Sequence, residues 1–257
     1  MPERDLEPVS PSIILDNVFV RFPIIGAEAR SLKKAALAGV ASLAGKSRVG
    51  GTLSMATNTT VVEALNGISL DVGTGARIGL VGHNGAGKST LLRVMAGIYP
   101  PNAGTVRTTG RITSLLDIGL GIDGHATGRE NIFLRALYMG RGTRETARVI
   151  DDIAEFTGLG AFLDMPVRTY SAGMQARLLF AVSTAFEADI LLLDEGIGAG
   201  DAEFAEKAQA RMQAFIDKAG IMVLASHDYG LLRTFCQTII RLEAGQIVRS
   251  GSVEEML

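Results

Sequence analysis

Gly82-His83-Asn84-Gly85-Ala86-Gly87-Lys88-Ser89 sets small residues, one lysine and one hydroxyl at the spacing G-x-x-x-x-G-K-[ST]. Such a run lets the backbone curl until successive N–H groups and the next helix N-terminus face phosphate oxygens. Lys88 then reaches the terminal phosphates and Ser89 offers its hydroxyl to Mg2+, with Thr90 next in the same phosphate-binding segment. The structural alternative is a glycine-rich turn without a ligand. Average composition yields this match by chance on the order of once per hundred chains of this length, and several times more often in a Gly-rich chain. The phosphate reading is therefore the better one.

A second group of residues could complete the chemistry. Ile190-Leu191-Leu192-Leu193 is an unbroken apolar run, too short for a buried helix, and it ends in Asp194 and Glu195. Beside a phosphate loop, Asp194 would hold the ligand shell of the metal and Glu195 would polarise an attacking water. Adjacent acids after an apolar run also cap helices. Paired with Lys88, they read as catalytic.

These groups need a scaffold, and the pattern of apolar residues outlines one. Ile13–Phe22, Val61–Val72 and Arg77–Val81 read as strands. Ser89 to Ile98 is helical, short strands follow through Leu116, and Gly128 to Gly158 is helical with a break at Gly140–Gly142. Ala172–Phe186 is a helix that leads into the strand Ile190–Leu193. A second buried run, Ile221–Ala225, follows another helix, and the last signals are a strand at Arg241–Val248 and a helix at Val253–Leu257. Strands alternating with helices imply a doubly wound parallel sheet with ligands at the carboxyl ends of its strands. Between the first two strands, Pro23–Thr60 reads as an insertion rich in Ala, Gly and Ser, with a basic edge at Arg30, Lys33, Lys34, Lys46 and Arg48. Its Ser31–Leu43 portion has the pattern of a weak amphipathic helix for a membrane subunit or lipid headgroups; the alternative is a surface excursion.

Composition narrows the partners. With 25 Lys+Arg against 27 Asp+Glu, the net charge of −2 gives no long-range field for a polyanion. The low aromatic content, without Trp, speaks against a base-stacking surface, so no nucleic-acid partner is expected. The single cysteine, Cys236, cannot form an internal disulfide and fits a reducing compartment as a buried or idle thiol. Met1–Ser12 is acidic and contains proline, unlike a secretory signal. The longest apolar stretch, Leu178–Leu193, is broken by Glu187 and Asp189, so the chain is expected to remain inside the cell without crossing a bilayer.

Four further elements fall in an order that resembles the nucleotide-binding subunits of the ATP-binding cassette (ABC) transporters. Tyr170-Ser171-Ala172-Gly173-Met174 stands where that family carries its signature, usually Leu-Ser-Gly-Gly-Gln; Ser171 and Gly173 match, whereas Tyr170, Ala172 and Met174 depart. The resemblance implies that Ser171, Ala172, Gly173 and Met174 meet the γ-phosphate held by the other subunit, a role suited to a helix N-terminus. In isolation the segment is an ordinary helix cap. Gly198-Ala199-Gly200-Asp201 resembles the loop whose aspartate communicates with the opposing subunit, and Asp201 is otherwise an N-cap. Ser226-His227-Asp228 resembles the switch-histidine segment, in which His227 would hold the γ-phosphate and orient water near Glu195; the alternative is a plain loop histidine. Phe22 stands where the family stacks an aromatic on adenine, with a core phenylalanine as the other reading. The family's glutamine for Mg2+ and the membrane subunit should lie near Leu116–Gly121. No Gln occurs between Lys88 and Tyr170, and Asp117 is the substitute carboxylate.

The resemblance thus implies an α/β, P-loop NTPase fold with a mostly parallel core sheet, an N-terminal antiparallel β subdomain and a helical subdomain. One ATPase domain would span 1–257: 13–115 with its insertion 23–60, a helical part 120–187 that includes the signature, and 188–257. Catalysis would fall to Glu195, His227 and Lys88, with ATP and Mg2+ as cofactors and two subunits forming a homodimer. The departures above, with Leu115-Leu116-Asp117-Ile118-Gly119 before Thr127-Gly128-Arg129-Glu130-Asn131, resemble the polysaccharide-exporter branch. That branch pairs two ATPases with two integral membrane permease subunits at the cytoplasmic face of the inner (plasma) membrane, to export lipid-linked O-antigen, capsular or teichoic-acid chains. Some O-antigen ATPases append a carbohydrate-binding domain. This chain ends at Leu257, so the expectation is that it reads no substrate tag. The rivals are a solute importer, which would carry the usual Gln, a soluble cassette ATPase with no membrane partner, and a binding module without turnover. Lys88, Asp194, Glu195 and His227 all stand in place against the last.

Overall fold

A computed structural model describes residues 10–23, 52–56, 59–116, 119–194 and 202–257, with the backbone alone described at 52–56, 59–60 and 202–203. In chain order the elements are β1 (Ser12–Pro23), β2 (Thr52–Ala56), β3 (Thr59–Val72), β4 (Arg77–Val81), α1 (Lys88–Met95), β5 (Ala103–Thr109) and β6 (Ile112–Ser114). They continue with α2 (Gly128–Tyr138), α3 (Thr143–Thr157), α4 (Ala172–Ser183), β7 (Ile190–Leu193) and α5 (Ala202–Lys218). The chain closes with β8 (Ile221–Ala225), α6 (Tyr229–Phe235), β9 (Thr238–Glu243), β10 (Gln246–Ser252) and α7 (Val253–Met256). It divides into two compact units, one formed by Met1–Gly110 with Val223–Leu257 and the other by Arg111–Met222.

The first unit holds two sheets. One is antiparallel, in the order β2-β3-β1-β5. Ile13, Leu15, Val18 and Val20 of β1 are buried while Asp16, Asn17 and Arg21 are exposed, the alternation of a half-buried strand. The register slips between Leu15 and Val18, where Asn17 takes a positive φ of 49° and its N–H donates to Ser69 Oγ at 2.9 Å. Asparagine tolerates that conformation, and the bulge keeps the apolar set on one face. Within the segment 23–60, Thr52–Ala56 forms a strand that pairs antiparallel with β3 from Thr52↔Glu63 to Ala56↔Thr59. Leu53 and Met55 alternate with Thr and Ser there, a short strand pattern hidden within a small-residue composition. The expected helix at Ser31–Leu43 lies outside the described residues.

The other sheet of this unit runs β10-β9-β4-β8, with β4 and β9 parallel and β9 and β10 antiparallel. Ile78–Val81 is buried throughout, as suits a central strand covered on both faces. The strand expected at Arg241–Val248 is instead a hairpin that turns at Ala244 and Gly245, with φ of 48° and 77°. Two left-handed residues make the turn whose twist matches that of paired strands. Cys236 is buried here, and burial pushes its thiol up to about 12, so it stays protonated near neutral pH.

In the second unit β6 and β7 pair in parallel, Ile112 opposite Ile190, and α2, α3 and α4 pack around Ile132, Ala136, Ile153, Leu163, Leu178 and Val182. A further contact set is aromatic: Phe156, Phe180 and Phe204 lie 5.2 to 6.1 Å apart between ring centres. Arg141 ties the helices to the strands. It is buried, it donates to the Glu187 carbonyl at 2.8 Å and to Thr113 Oγ1 at 3.3 Å, and it pairs with Glu145. Desolvation holds its pKa below the usual arginine value.

The Thr127–Asn131 stretch is a structural lock. Thr127 caps α2 and exchanges hydrogen bonds with Glu130 in a capping box, and those bonds from Thr127 hold the Glu130 carboxyl below its ordinary range. Gly128 is glycine because a Cβ there would meet the Tyr170 hydroxyl, which donates to the Phe162 carbonyl. Asn131 is fully buried; its amide donates to the carbonyls of Asp123, Ala126 and Thr127 and accepts from the Asp123 N–H. Replacing Asn131 by Ala strands those buried groups and is expected to lower unfolding stability by about 1–3 kcal/mol in urea titration.

Candidate functional site

The buried strand β4 delivers the chain into Gly82–Gly87, and α1 starts at Lys88 with Gly87 as its N-cap. Gly87 has a φ of 109°, and a Cβ there would stand 2.7 Å from the Ala64 carbonyl and 3.1 Å from Leu65 Cδ2. Both the conformation and the crowding demand glycine. Within the loop the Ala86 N–H donates to the His83 carbonyl at 3.0 Å. Ala86 is itself buried, and its carbonyl accepts from the Gly245 N–H at 3.0 Å, while the Gly245 carbonyl accepts from the Asn66 N–H at 2.9 Å. The β9–β10 turn therefore braces the phosphate loop from outside. Sequence reasoning missed Gly245. Its only signal was an Ala-Gly pair between apolar runs.

Lys88 is the buried cation of this loop, 8% exposed. Its Nζ donates to the Gly82 carbonyl at 2.7 Å, approaches the His83 carbonyl at 3.4 Å and lies 3.2 Å from His227 Nε2. The same Nε2 lies 3.1 Å from Asn84 Oδ1. Lys88 can only donate, so that contact needs a bare Nε2, whereas the Asn84 oxygen needs an Nε2–H. One imidazole nitrogen thus serves either partner, according to tautomer. His227 follows β8, after the buried Ser226, and Asp228 caps α6 by accepting from the Gly230 and Leu231 N–H groups. The geometry brings His227 to Lys88 across 139 residues of chain.

The loop can hold an anion. The first-turn amides of a helix have no acceptor within it, and the first turn of α1 carries no acidic side chain to neutralise the positive helix end. His83, Asn84 and Gly85 are exposed, and Ser89 and Thr90 are half-buried at the start of α1. Phe22, at the end of β1, is 37% exposed and meets Tyr99 edge to face at 5.4 Å.

The second unit carries the remaining described candidates. Ser171 caps α4, its Oγ accepting from the Met174 N–H at 3.2 Å; Ser171 and Ala172 are exposed, while Gly173 is half-buried. Met174 packs on the helical core, and Tyr170 is buried within it, where desolvation raises its hydroxyl pKa. Two of the three departures from the expected signature, Tyr170 and Met174, therefore serve packing on the helical core. Asp194 follows β7 and is half-buried. Asp117, Glu195 and Asp201 lie outside the described residues.

Residues 65–198 match the family described as ABC transporter. The O-antigen export system ATP-binding protein RfbE of Yersinia enterocolitica is 43% identical over 236 residues, which is 92% of this chain and 96% of that protein. The O-antigen export system ATP-binding protein RfbB of Myxococcus xanthus is 39% identical over 77% of this chain, which spans only 46% of it. The teichoic acids export ATP-binding protein TagH of Enterococcus faecalis is 38% identical over 76% of this chain and 43% of its own length. Among solved structures, a dimeric ATP-binding cassette with ADP and Pi matches with a TM-score of 0.64 at 20% identity, covering 94% of this chain and 98% of its own. The chain belongs to the ABC transporter family and has the fold of its ATP-binding cassettes.

Gly245→Ala places a side chain 2.7 Å from the Ala64 carbonyl at a left-handed position and shifts the turn that holds Ala86. ATP affinity, titrated with a fluorescent analogue, is expected to fall roughly tenfold, equivalent to about 1.4 kcal/mol of loop distortion.

Proposed function

We propose that this chain is the ATP-hydrolysing subunit of an ABC transporter that exports a lipid-linked polysaccharide, of O-antigen or capsular type, across the inner membrane. The observation that carries the ATPase part is the buried Lys88 ammonium, ringed by the Gly82 and His83 carbonyls and His227 at the start of α1. The names of the relatives, O-antigen and teichoic acid export ATP-binding proteins, support the choice of cargo.

In this reading the amides of Gly82–Ser89 and Thr90 bind the triphosphate, Lys88 holds its terminal oxygens and Phe22 carries the adenine. Ser89, Asp194 and Asp117 offer only hydroxyl and carboxylate oxygen, a hard donor set that fits Mg2+. Bound there, Mg2+ would neutralise phosphate charge. Glu195 accepts a proton from the attacking water, and His227 moves from Lys88 and Asn84 to the γ-phosphate, where its donor stabilises the charge that develops. Two copies face head to tail, so that Ser171, Ala172, Gly173 and Met174 of one present a capped helix end to the nucleotide of the other, with Asp201 in the loop between subunits.

The partner in the membrane is a separate permease, a reading supported by relatives named as ATP-binding proteins of export systems; among the described residues no helix is long and apolar enough to cross a bilayer. The ATPase sits peripherally on the cytoplasmic face. A groove of about 600 Å3 in the second unit, lined by Phe133, Leu134 and Leu137 with Asp123, His125, Glu130 and Arg141, suits a permease helix with an apolar face and polar edges. Leu137 in its lining and Tyr138, next in the chain, are 67% and 60% exposed.

In the purified chain, Glu195→Gln is expected to cut ATP turnover by roughly 10²–10⁴-fold and to trap an ATP-filled dimer on gel filtration. Unchanged turnover with a persistent monomer would remove Glu195 from this role. In cells lacking the gene, the wild-type chain should restore surface polysaccharide and the Glu195→Gln chain should not; restored solute uptake instead would point to an importer.

A further inference from the structure

Phe22 lies near the exposed end of β1, where the strand itself does little to fix a side chain. The structure supplies support from an unexpected direction. Tyr99 meets the Phe22 ring edge to face, with centres 5.4 Å apart and planes at 72°. The Arg93 guanidinium lies over the Tyr99 ring at 5.9 Å, and Arg93 belongs to α1, the helix that begins with Lys88 and Ser89. The connecting backbone is stitched at both ends. The Ile98 and Tyr99 N–H groups donate to the Arg93 carbonyl at 2.9 and 3.2 Å. Further on, the Asn102 N–H donates to the Phe19 carbonyl at 2.8 Å, and Asn102 Oδ1 accepts from the Arg21 N–H at 2.6 Å. Residues 98–102 thus bridge the phosphate helix and the end of β1, and Tyr99 is the side chain that this bridge lays against Phe22.

We infer that Tyr99, backed by Arg93, is the positioning residue of the nucleobase platform: it fixes the Phe22 ring for stacking and ties its orientation to α1. This rests on the reading of Phe22 as the adenine platform. The physical gain is preorganisation, since a ring already held in place loses less freedom when a base stacks on it. Edge-to-face packing needs only a ring at position 99, so the hydroxyl of Tyr99 is dispensable for this role. Because Arg93 and Lys88 share one short helix, the base and phosphate subsites keep a set spacing.

The test uses the full chain and compares ATP with inorganic tripolyphosphate, which has no base. Tyr99→Ala is expected to weaken ATP binding roughly three- to tenfold, the effect of leaving one side chain to be ordered on binding. It should leave tripolyphosphate affinity unchanged. Tyr99→Phe should bind both like the wild type, and Arg93→Ala should follow Tyr99→Ala in direction. In a Phe22→Ala background, Tyr99→Ala should cause no further loss, because there is no ring left to position. Equal losses for ATP and tripolyphosphate, additive losses in the double variant, or an unaffected Tyr99→Ala would each overturn the proposal. If Phe22→Ala itself leaves ATP affinity intact, the platform reading fails first, and the role of Tyr99 falls with it.

Discussion

A buried ammonium must be given acceptors, and most of the first unit can be understood as the means of giving them to Lys88. Its charge is compensated by dipoles, two of them backbone carbonyls of the loop that precedes it. Carbonyls can converge on one point only if the backbone curls tightly, and the curl is possible only where side chains are small. The loop is then too thin to hold its own shape. It borrows rigidity from Ala64, Leu65 and the Ala244–Gly245 turn, which press on it from elements distant in the chain.

His227 makes this arrangement responsive. A nitrogen that can accept from Lys88 or donate to Asn84 is poised between two hydrogen-bonded states that differ by the position of one proton. An imidazole held in that way can exchange partners without a backbone rearrangement, a useful property beside a ligand whose charge changes during reaction. The Asp228 cap fixes the start of α6 and so limits how far the ring can stray. The second unit solves a different problem. There a fully buried asparagine and a capping box bind the loop before α2 to the helical core, and Arg141 carries that order to β6 and Glu187.

Strands β7 and β8 could be read to the residue because an unbroken apolar run of four or five residues has few other homes in a folded chain. The start of α1 followed from the phosphate loop itself. The hairpin at Ala244–Gly245 was hidden because Ala-Gly is a weak turn signal beside Asn-Gly, and the apolar residues on either side read as one strand. Strand β2 was hidden by its small-residue surroundings. In the site, the residue types were legible from the sequence, but no spacing rule brings a histidine to a lysine so far away in the chain; that approach was expected only through the family resemblance. Tyr170 and Met174 looked like departures from a functional signature, and the burial of Tyr170 and the packing of the partly buried Met174 on the same core give a packing reason for each.

The bracing of the phosphate loop is made almost wholly of main-chain atoms: the carbonyls of Ala64, Ala86 and Gly245 and the amides of Asn66 and Gly245. Outside Gly87 and Gly245, where a side chain would collide with Ala64, the neighbouring side chains can be exchanged at little cost to the loop, provided the path of the chain is kept. Inserting or deleting even one residue in the β9–β10 turn would be another matter, because it would move the whole brace out of reach. In that turn, its length and the glycine at 245 are what variation is free to explore least.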